Sequence, residues 1–421
     1  MRIISKSPFV FAPLPSRVRP PQRSITLILK GTFDIVENAA CTPAKDQRPL
    51  SGDEVYLDEI GRSLAWASDL APFKPHTDFF VLGSFHQPGG VAAPTGWASF
   101  TLGPLHKKLA IFGPRLARQL GDKSVSVSAP KPIASVPLRW EFSFGGLADR
   151  RNPMGMGIDA VQDPDSGTVI PLPLIEDPAH PIRTMKDRPQ PANFAPVPSA
   201  FEARRRKLGT RDKRWSVFRA PLPPKDYDPS YHNAAPNDQQ AGNYPHGDET
   251  LVLHNLHPTI PMLTTRLPGL LARAGVIRTS GSGVAAEEVP MHLDTIVALP
   301  DEGQLVLTWR GVTRMHGQIM QDDILVMQSE VEALDSPPSG PSLPDRMLQE
   351  YQAGVDAAKS AAQADTSFAL GEILKLLSKA NLPPELMKAI EAETNPQVVY
   401  ELLDGHLTTI FDGLRARLPP G

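Results

Sequence analysis

The sequence predicts a mainly β protein, with sandwich-like antiparallel sheets and long proline-rich loops, that ends in an α-helical module and is α+β overall. Proline is the first indication, since 46 of the 421 residues are proline and an internal proline breaks a helix. Short segments that alternate polar with apolar residues are the second, because this period is typical of strands. The third is a change to the helical period of 3.6 residues near the C-terminal end.

Four segments carry the clearest strand signals. Residues 24–29 alternate polar with apolar side chains, and residues 77–83 form a short apolar run. Residues 97–112 resemble a hairpin with Gly103-Pro104 at its turn, and residues 291–310 form a second hairpin around Pro300-Asp301-Glu302-Gly303. These local patterns predict antiparallel pairing within each hairpin.

The segment from 149 to 247 is dense in proline and has no clear period. A structureless loop of that length is unusual in a compact domain. We therefore expect this segment to wrap over the strands and to pack there through local turns.

Composition changes at residues 336–344, SPPSGPSLP, which we interpret as a linker. Of the 46 prolines, 41 precede Asp345 and five follow it. The last 77 residues contain seven Lys/Arg and eleven Asp/Glu, a net charge of −4, which leaves +1 for the rest of a chain at −3. We expect a β-rich domain over 1–335, either as one unit or as two sub-domains of about 1–135 and 136–335, and a helical module over 345–421.

Apolar stripes predict separate helices in the C-terminal module. One stripe is Leu370, Ile373, Leu374 and Leu377, which lie on one helix face. An earlier helix uses Leu348, Tyr351, Val355 and Ala358. A later one begins at Asn395-Pro396, an N-cap followed by a first-turn proline, and carries Val399, Leu402, Leu403, His406 and Ile410.

Charge and cysteine content exclude several classes of protein. A net charge of −3 argues against wholesale coating of nucleic acid. The single cysteine, Cys41, excludes an intrachain disulfide framework and a cysteine-rich zinc site. We find no signal-peptide pattern and no apolar run of membrane-spanning length, so the expectation is a soluble, cytoplasmic protein with no nucleic-acid or membrane partner.

Catalytic and cofactor motifs are missing from the sequence. It contains no phosphate-binding loop, no H-E-x-x-H zinc helix and no G-x-S-x-G nucleophile elbow, and we expect no cofactor and no metal. Histidines cluster between His232 and His257, and a polar loop network explains them better than a metal site. Cys41 has no neighbouring base in the sequence and is interpreted as structural.

A basic run extends from Arg204 to Arg214, with Phe201, Trp215 and Phe218 interleaved or adjacent. Basic residues mixed with aromatics are typical of nucleic-acid binding. The run is short and no nucleic-acid motif surrounds it, so a solvated loop or a patch for an acidic protein partner is the favoured interpretation.

An ordered series of motifs is more specific than composition. Residues 137–146 read PLRWEFSFGG and residues 151–157 read RNPMGMG. Together they supply Trp140, Glu141, Phe144, Gly145, Gly146, Asn152, Pro153, Gly155 and Gly157.

More of the series follows in order along the chain. The segments are LPLIEDP at 172–178, IR at 182–183, PANF at 191–194, GT at 209–210 before Trp215, YHNAAPNDQ at 231–239, GDE at 247–249, DT at 294–295 and WRG at 309–311. These segments contain Asn233, Pro236, Asp238, Gln239, Asp248, Glu249, Asp294, Trp309 and Arg310.

This series resembles a domain-of-unknown-function family whose genes lie beside type VI secretion effectors in Gram-negative bacteria. The resemblance covers roughly residues 10–330, about three-quarters of the chain, with Asn193 replacing a glycine of the pattern. It implies a non-enzymatic adaptor or chaperone that binds a cognate toxin effector in the cytoplasm and helps to load it on the VgrG or PAAR spike. The family supplies no catalytic residues that could be transferred.

The roles of the motif residues stay open at this point. Trp140, Phe144, Trp215 and Trp309 are either binding anchors or core residues, and the core role is favoured. Asp248, Glu249, Asp294 and Arg310 either satisfy loop backbone or pair with one another. The alternative function is a β-rich hydrolase or transferase using Asp238, His246, Asp248 and Glu249 of the 233–249 loop, and a weaker one is a structural baseplate or spike component.

Overall fold

The structure is a computed structural model that describes residues 2–392 apart from 17–22, 60, 121–123, 164–166, 281–282, 316–324, 337–339 and 378–383. Within these residues the protein is mainly β, which confirms the predicted class at that level. Contacts divide the chain into two compact units, Met1–Pro344 and Asp345–Gly421. No helix in the described part of the chain is both long enough and apolar enough to cross a membrane.

The strands are named in chain order. They are β1 Arg2–Ser5, β2 Val10–Ser16, β3 Ser24–Asp34, β4 Thr42–Pro43, β5 Glu54–Val55, β6 Leu64–Trp66, β7 Thr77–Val81, β8 Ser84–His86, β9 Thr95–Leu102, β10 Leu105–Phe112, β11 Leu116–Leu120, β12 Ser124–Val127, β13 Ser135–Pro137, β14 Phe144–Gly145, β15 Met156–Gly157, β16 Val161–Asp163, β17 Gly167–Pro171, β18 Ile175–Glu176, β19 Gln240–Ala241, β20 Thr250–His254, β21 Met262–Arg266, β22 Leu270–Ser280, β23 Gly283–Val289, β24 His292–Leu299, β25 Gln304–Arg314 and β26 Leu325–Ala333. The α-helices are α1 Glu202–Arg205, α2 Lys213–Phe218, α3 Leu343–Leu377 and α4 Pro384–Ala392.

A seven-stranded sheet forms the centre of the first unit. Its strands lie in the order β19-β7-β24-β25-β3-β2, and β4 also pairs with β3. The predicted hairpin is present, since β24 and β25 pair antiparallel on either side of Gly303, whose φ of +67° suits glycine at this turn. β7 pairs parallel with β24, so Asp78 lies opposite Thr295.

A five-stranded sheet in the order β18-β10-β9-β20-β21 packs on one face of the central sheet. The second predicted hairpin is its β9–β10 pair, where Leu102 lies opposite Leu105. Phe79 of the central sheet and Phe100 of β9 meet here with ring centroids 4.6 Å apart. Trp309 lies in the same core beside Phe9 and Phe33.

The other face of the central sheet is covered by the proline-rich middle of the chain. Phe80 and Val306 on this face pack against Trp140, Phe201 and Ala234 of the covering segment. This confirms the prediction that the unpatterned segment packs over the strands. In its described residues this segment forms short helices and strands joined by turns, and its core contacts bury the second face of the central sheet.

A four-stranded sheet, β1-β26-β22-β23, shares a third cluster of buried residues with the end of β3. That cluster includes Ile25, Leu27, Val276 and Met327. A second four-stranded sheet follows the order β12-β11-β17-β16. Neither of these sheets was predicted as a unit, because each joins local strand pairs to strands far away in the sequence, through β22–β26 and β1–β26 in one sheet and β11–β17 in the other.

The helical region differs from the prediction in two ways. The two stripes beginning at Leu348 and Leu370 belong to one continuous helix, α3, because no proline lies between Pro344 and Pro383 to end it. That helix also begins at Leu343, inside the predicted linker of 336–344. The predicted helix with Asn395 and residues 399–410 lies outside the described residues.

The shared core predicts a large difference between two phenylalanines. Phe79 is fully buried against Phe100, so Phe79→Ala should lower the free energy of unfolding by about 3–5 kcal/mol. Phe218 is 82% exposed, and Phe218→Ala should change it by less than about 0.5 kcal/mol. Urea unfolding followed by circular dichroism measures both, and equal effects would contradict the assignment of this core.

Candidate functional site

The first signature segment folds as a compact loop around the side chain of Asn152. This side chain is fully buried, and its Nδ2 donates to the carbonyl oxygens of Trp140 at 2.8 Å and Phe144 at 3.0 Å. The backbone N–H of Gly146 donates to the Asn152 carbonyl at 3.0 Å. Asn152 therefore satisfies buried backbone groups that no regular strand satisfies.

The glycines of this loop are required by the close approach of two backbone segments. β14 pairs parallel with β15. A Cβ added at Gly145, whose φ is +159°, would lie 2.1 Å from the Asn152 carbonyl oxygen, and one at Gly155 would lie 2.4 Å from Asn152 Nδ2. Both distances are shorter than any van der Waals contact. Gly146 and Gly157 lie in the same tight loop, and Pro153 is half-buried within it.

Trp140 and Glu141 fix the start of the same loop. The Trp140 indole N–H donates to the carbonyl of Pro196 at 2.8 Å, and its ring meets Phe201 edge-on. The Glu141 carboxylate accepts hydrogen bonds from the backbone N–H and the hydroxyl of Ser63. Phe144 is buried as well, so the core role favoured for Trp140 and Phe144 is the one the structure shows.

The second signature segment is attached to the central sheet through Asp78. Its carboxylate accepts from Asn233 Nδ2 at 3.0 Å and from the backbone N–H groups of Ala234 and Ala235 at 3.0 and 3.2 Å. Lys74 Nζ donates to the same carboxylate at 2.8 Å. Asp78 was not identified from the sequence, where it looks like an ordinary residue at the start of a strand.

The end of this segment is held by Gln239 and Lys107. Gln239 Nε2 donates to the carbonyl oxygens of Phe79 and Phe194, each at 2.9 Å. Lys107 Nζ donates to Gln239 Oε1 at 2.8 Å and to Asp238 Oδ1 at 2.9 Å. Burial lowers the pKa of Lys107, and the Asp238 carboxylate opposes that shift. Pro236 precedes the short turn that carries Asp238 and Gln239.

The third signature pairs Asp294 with Arg310 on the covered face of the central sheet. The β24–β25 register shifts between Leu293 and Thr295, so this bulge turns Asp294 toward the face that Arg310 occupies. Arg310 Nη1 donates to Asp294 Oδ1, and Nη2 donates to the Asp69 carbonyl at 2.6 Å. Both side chains are almost fully buried, while neighbouring Trp309 points into the opposite core.

The acids proposed for catalysis in the 233–249 loop bind backbone, pair with a lysine or lie exposed at the surface. Glu249 accepts from the backbone N–H groups of His246 and Gly247 at 2.7 and 3.0 Å. Asp238 pairs with Lys107, and Asp248 is exposed. Across the described ranges no group of three His, Cys, Asp or Glu is placed to hold a metal ion.

Cys41 is buried beside the Thr265 hydroxyl at 3.3 Å. Burial raises the pKa of its thiol, which keeps it protonated and weakly nucleophilic.

A large groove lies beside Trp215 of α2, and we call it the Trp215 groove. Its volume is about 730 Å³. Its walls are mostly apolar and proline-rich, and its lining is Leu14, Pro15, Ser16, Leu70, Pro72, Phe73, Leu208, Arg211, Trp215, Arg219, Pro221, Leu222, Pro223, Pro224, Lys225, Tyr227, Pro229, Tyr231 and His232. The Trp215 indole N–H donates to the Leu222 carbonyl at 2.8 Å, so the ring is fixed while one side of it lines the groove.

The ordered signatures are matched by one protein family. A family described as an uncharacterized protein conserved in bacteria, DUF2169, matches residues 21–310. The chain belongs to the DUF2169 family. This confirms the resemblance to a bacterial family of unknown function, and nothing in the match refers to type VI secretion. Neither a curated protein nor a solved structure matches the chain.

Residues 21–310 contain the signature segments of this DUF2169 member, apart from Gly311 at the end of the last one, and most of the Trp215 groove. Sequence patterns missed the groove because its walls come from three separate segments, within 14–16, 70–73 and 208–232. The run Pro221-Leu222-Pro223-Pro224 next to Trp215 was the available signal, since prolines beside an aromatic residue form rigid apolar surface.

His232 lies in the groove wall with its ring edge-on to Tyr231 at 5.3 Å. Burial lowers its pKa to about 4, and the positive charges of Lys74, Arg204 and Arg310 add to the shift. Burial likewise raises the pKa of Tyr227 to about 12. Both rings are therefore neutral at pH 7, which keeps this part of the groove uncharged.

The lowered pKa predicts a pH dependence of stability in this DUF2169 member. The His232 pKa is about 4 in the folded state and 6.5 as a free side chain, so the unfolded state binds more protons between these values. His232 therefore makes the free energy of unfolding fall as pH decreases from 6.5 toward 4. His232→Gln should flatten that part of the profile in urea unfolding, and a profile as steep as that of the unsubstituted protein would contradict this assignment.

Proposed function

We propose that this protein is a non-enzymatic adaptor that binds an acidic, partly apolar segment of a partner protein in the Trp215 groove. The observation that carries the proposal is the groove itself, with about 730 Å³ of volume, aromatic and proline walls, and cationic side chains among its lining. The packed sheets beneath it serve as a sandwich-like scaffold for this surface. Surfaces of this kind are typical of protein recognition rather than of catalysis.

The groove walls are rigid before any partner binds. The Asp212 carboxylate caps α2 by accepting from the Trp215 N–H at 2.7 Å, and the Trp215 indole is tied to Leu222. Prolines 221, 223 and 224 restrict the facing wall. A surface that is already ordered loses little conformational entropy on binding, which favours affinity.

Apolar side chains extend the groove onto the neighbouring surface. Phe218 is 82% exposed and Val217 is 65% exposed, both on α2 next to Trp215. Leu70 in the groove lining is 47% exposed. Exposed apolar groups that adjoin an apolar groove mark a contact surface, because burying them gains free energy.

The charge of the groove lining supports an acidic partner segment. Arg211, Arg219 and Lys225 line the groove, and Arg211 also lies over the Trp215 ring at 5.4 Å. The nearby carboxylates of Asp212 and Asp226 are engaged by local donors, Asp226 by the N–H and hydroxyl of Thr210. The backbone hydrogen bonds from Thr210 lower the pKa of Asp226, which stays ionised without pairing with these cations.

The partner in this proposal is a cognate type VI effector toxin, bound in the bacterial cytoplasm and passed to a VgrG or PAAR spike protein. The support is the resemblance of the ordered signatures to a family encoded beside such effectors, together with membership of DUF2169 over residues 21–310. The signature residues themselves are mostly buried, so they stabilise the scaffold while the exposed groove makes the contact.

Binding at the groove predicts which substitutions abolish complex formation. The full-length protein is co-expressed with the products of its neighbouring genes, and complexes are measured by size-exclusion chromatography with light scattering. Trp215→Ala and Phe218→Ala should each weaken a stoichiometric complex by about 2 kcal/mol or more, a typical cost for a central aromatic residue. Arg211→Gln with Arg219→Gln should weaken it and reduce its salt dependence.

Trp97→Ala is the matched control, because Trp97 is also partly exposed, at 38%, but lies on β9. If the complex still forms with Trp215→Ala and with Phe218→Ala, and both variants are folded, the groove is not the binding site. Retention of the protein in purified secretion particles would favour the structural-component alternative. Turnover that is lost in Asp238→Asn or Glu249→Gln would favour the enzyme alternative.

A further inference from the structure

A second cavity lies where β3 begins and β25 ends, and we call it the Tyr244 cavity. Its volume is about 430 Å³. The lining is Arg23, Ser24, Phe73, Lys74, Pro229, Tyr244, Pro290, His292, Asp294, Arg310, Gly311, Val312 and Arg314. Phe73 and Pro229 also line the Trp215 groove, so the two sites adjoin.

The side wall of the cavity is an aromatic pair. The rings of Tyr244 and His292 stack with centroids 4.4 Å apart and planes 17° apart. The Tyr244 hydroxyl donates to the Lys74 carbonyl at 2.7 Å, which fixes the ring in place. With Phe73 and Val312, the pair surrounds a space that suits an apolar group of a few carbon atoms.

The charged residues of the floor are already paired. Arg310 is bound to Asp294 and to the Asp69 carbonyl, while Lys74 is bound to Asp78 and to the Thr295 hydroxyl, both at 2.8 Å. Arg310 Nε has no acceptor and is shielded from solvent. Two cations facing two carboxylates leave the floor with no net charge, so it offers a carboxylate less attraction than an unpaired arginine does.

The rim, in contrast, carries two arginines, Arg23 and Arg314. Arg314 is paired in register with Ser24, the residue after Arg23, and the Met315 N–H donates to the Arg23 carbonyl at 2.9 Å. Both side chains are exposed, and no carboxylate among the described residues pairs with either guanidinium. Arg23 and Arg314 lie one position apart at this end of the sheet and both line the cavity. Two positive charges at one cavity repel each other, and a carboxylate that pairs with both reduces that repulsion.

We propose that the Tyr244 cavity binds a carboxylate attached to a branched apolar group, with the carboxylate between Arg23 and Arg314 and the apolar group against Tyr244 and Phe73. A peptide's C-terminal residue and a free short-chain acid share this chemistry. The assignment does not depend on the partner proposed for the Trp215 groove, because Arg23, Arg314 and Tyr244 are not part of that groove's lining.

Isothermal titration calorimetry on the full-length protein tests the site with four probes: N-acetyl-leucine, its uncharged amide N-acetyl-leucinamide, 4-methylpentanoate and inorganic phosphate. Ligands of this size bind in the millimolar range. N-acetyl-leucine should bind at least about tenfold more tightly than its amide, because the amide cannot pair with the arginines. Arg23→Gln with Arg314→Gln should remove that preference, whereas exposed Arg205→Gln should keep it.

The probes also separate the two sources of the ligand. N-acetyl-leucine that binds about tenfold better than 4-methylpentanoate assigns the site to a peptide C-terminus, and equal binding assigns it to a free acid, since the acetamido group is their difference. Phosphate that binds as tightly as either acid would show a simple anion site and overturn the proposal. Binding that is undetectable, or unaffected by the double arginine substitution, would overturn it too.

Discussion

The carboxylate of Asp78 is the contact on which the arrangement of the covering segment depends. It lies in β7 and accepts hydrogen bonds from the side chains of Lys74 and Asn233 and from two backbone N–H groups, at 2.8–3.2 Å. If this buried carboxylate lost these donors, the folded state would be less stable by several kcal/mol. The segment from Asn233 is therefore held in one position on the sheet. Its flanking residues supply one wall of the Trp215 groove and one wall of the Tyr244 cavity.

Side-chain amides also hold irregular segments in position by hydrogen bonds elsewhere in the chain. A segment without strands still has buried N–H and C=O groups that need partners. Asn152 and Gln239 each bind two carbonyl oxygens with one Nδ2 or Nε2 group. Asn193, which departs from the family pattern, accepts from the N–H groups of Phe194 and Ala195 and so replaces a glycine with a local hydrogen-bonding group. Order here comes from specific polar contacts rather than from repeating structure.

The sequence predicts well those elements whose contacts are local in the chain. The β9–β10 and β24–β25 hairpins follow from alternation and turn residues that lie within a few positions of each other. The order of strands in the sheets cannot be predicted in this way. β7 pairs with β24 and β1 pairs with β26, and strands so far apart in the sequence leave no local pattern. The helix α3 was divided into two in the prediction because its apolar stripe weakens between Ala358 and Leu370, although nothing there ends a helix.

The candidate site was predictable to the same extent. Pairing of Asp294 with Arg310, and the use of Glu249 by loop backbone, were among the alternatives that the residue types allowed. The core roles of Trp140 and Trp309 followed from the usual burial of tryptophan. Trp215 differs because it lies on a short exposed helix and faces prolines that are close only after folding. From the sequence alone, the groove residue Trp215 cannot be distinguished from the core residues Trp140 and Trp309.

Scaffold and contact surface are therefore divided between different residues of the same segment. The signature side chains at 140–157, 233–239 and 294–310 are mostly buried and bind backbone or each other. Phe218 and Arg211, which supply apolar area and charge on the surface, make no hydrogen bond to that network among the described contacts. Because of this separation, the side chains on the surface of α2 can change without loss of the buried hydrogen bonds that order the groove walls. One scaffold can then present different contact residues at a fixed geometry, which is the physical requirement for recognising different partners.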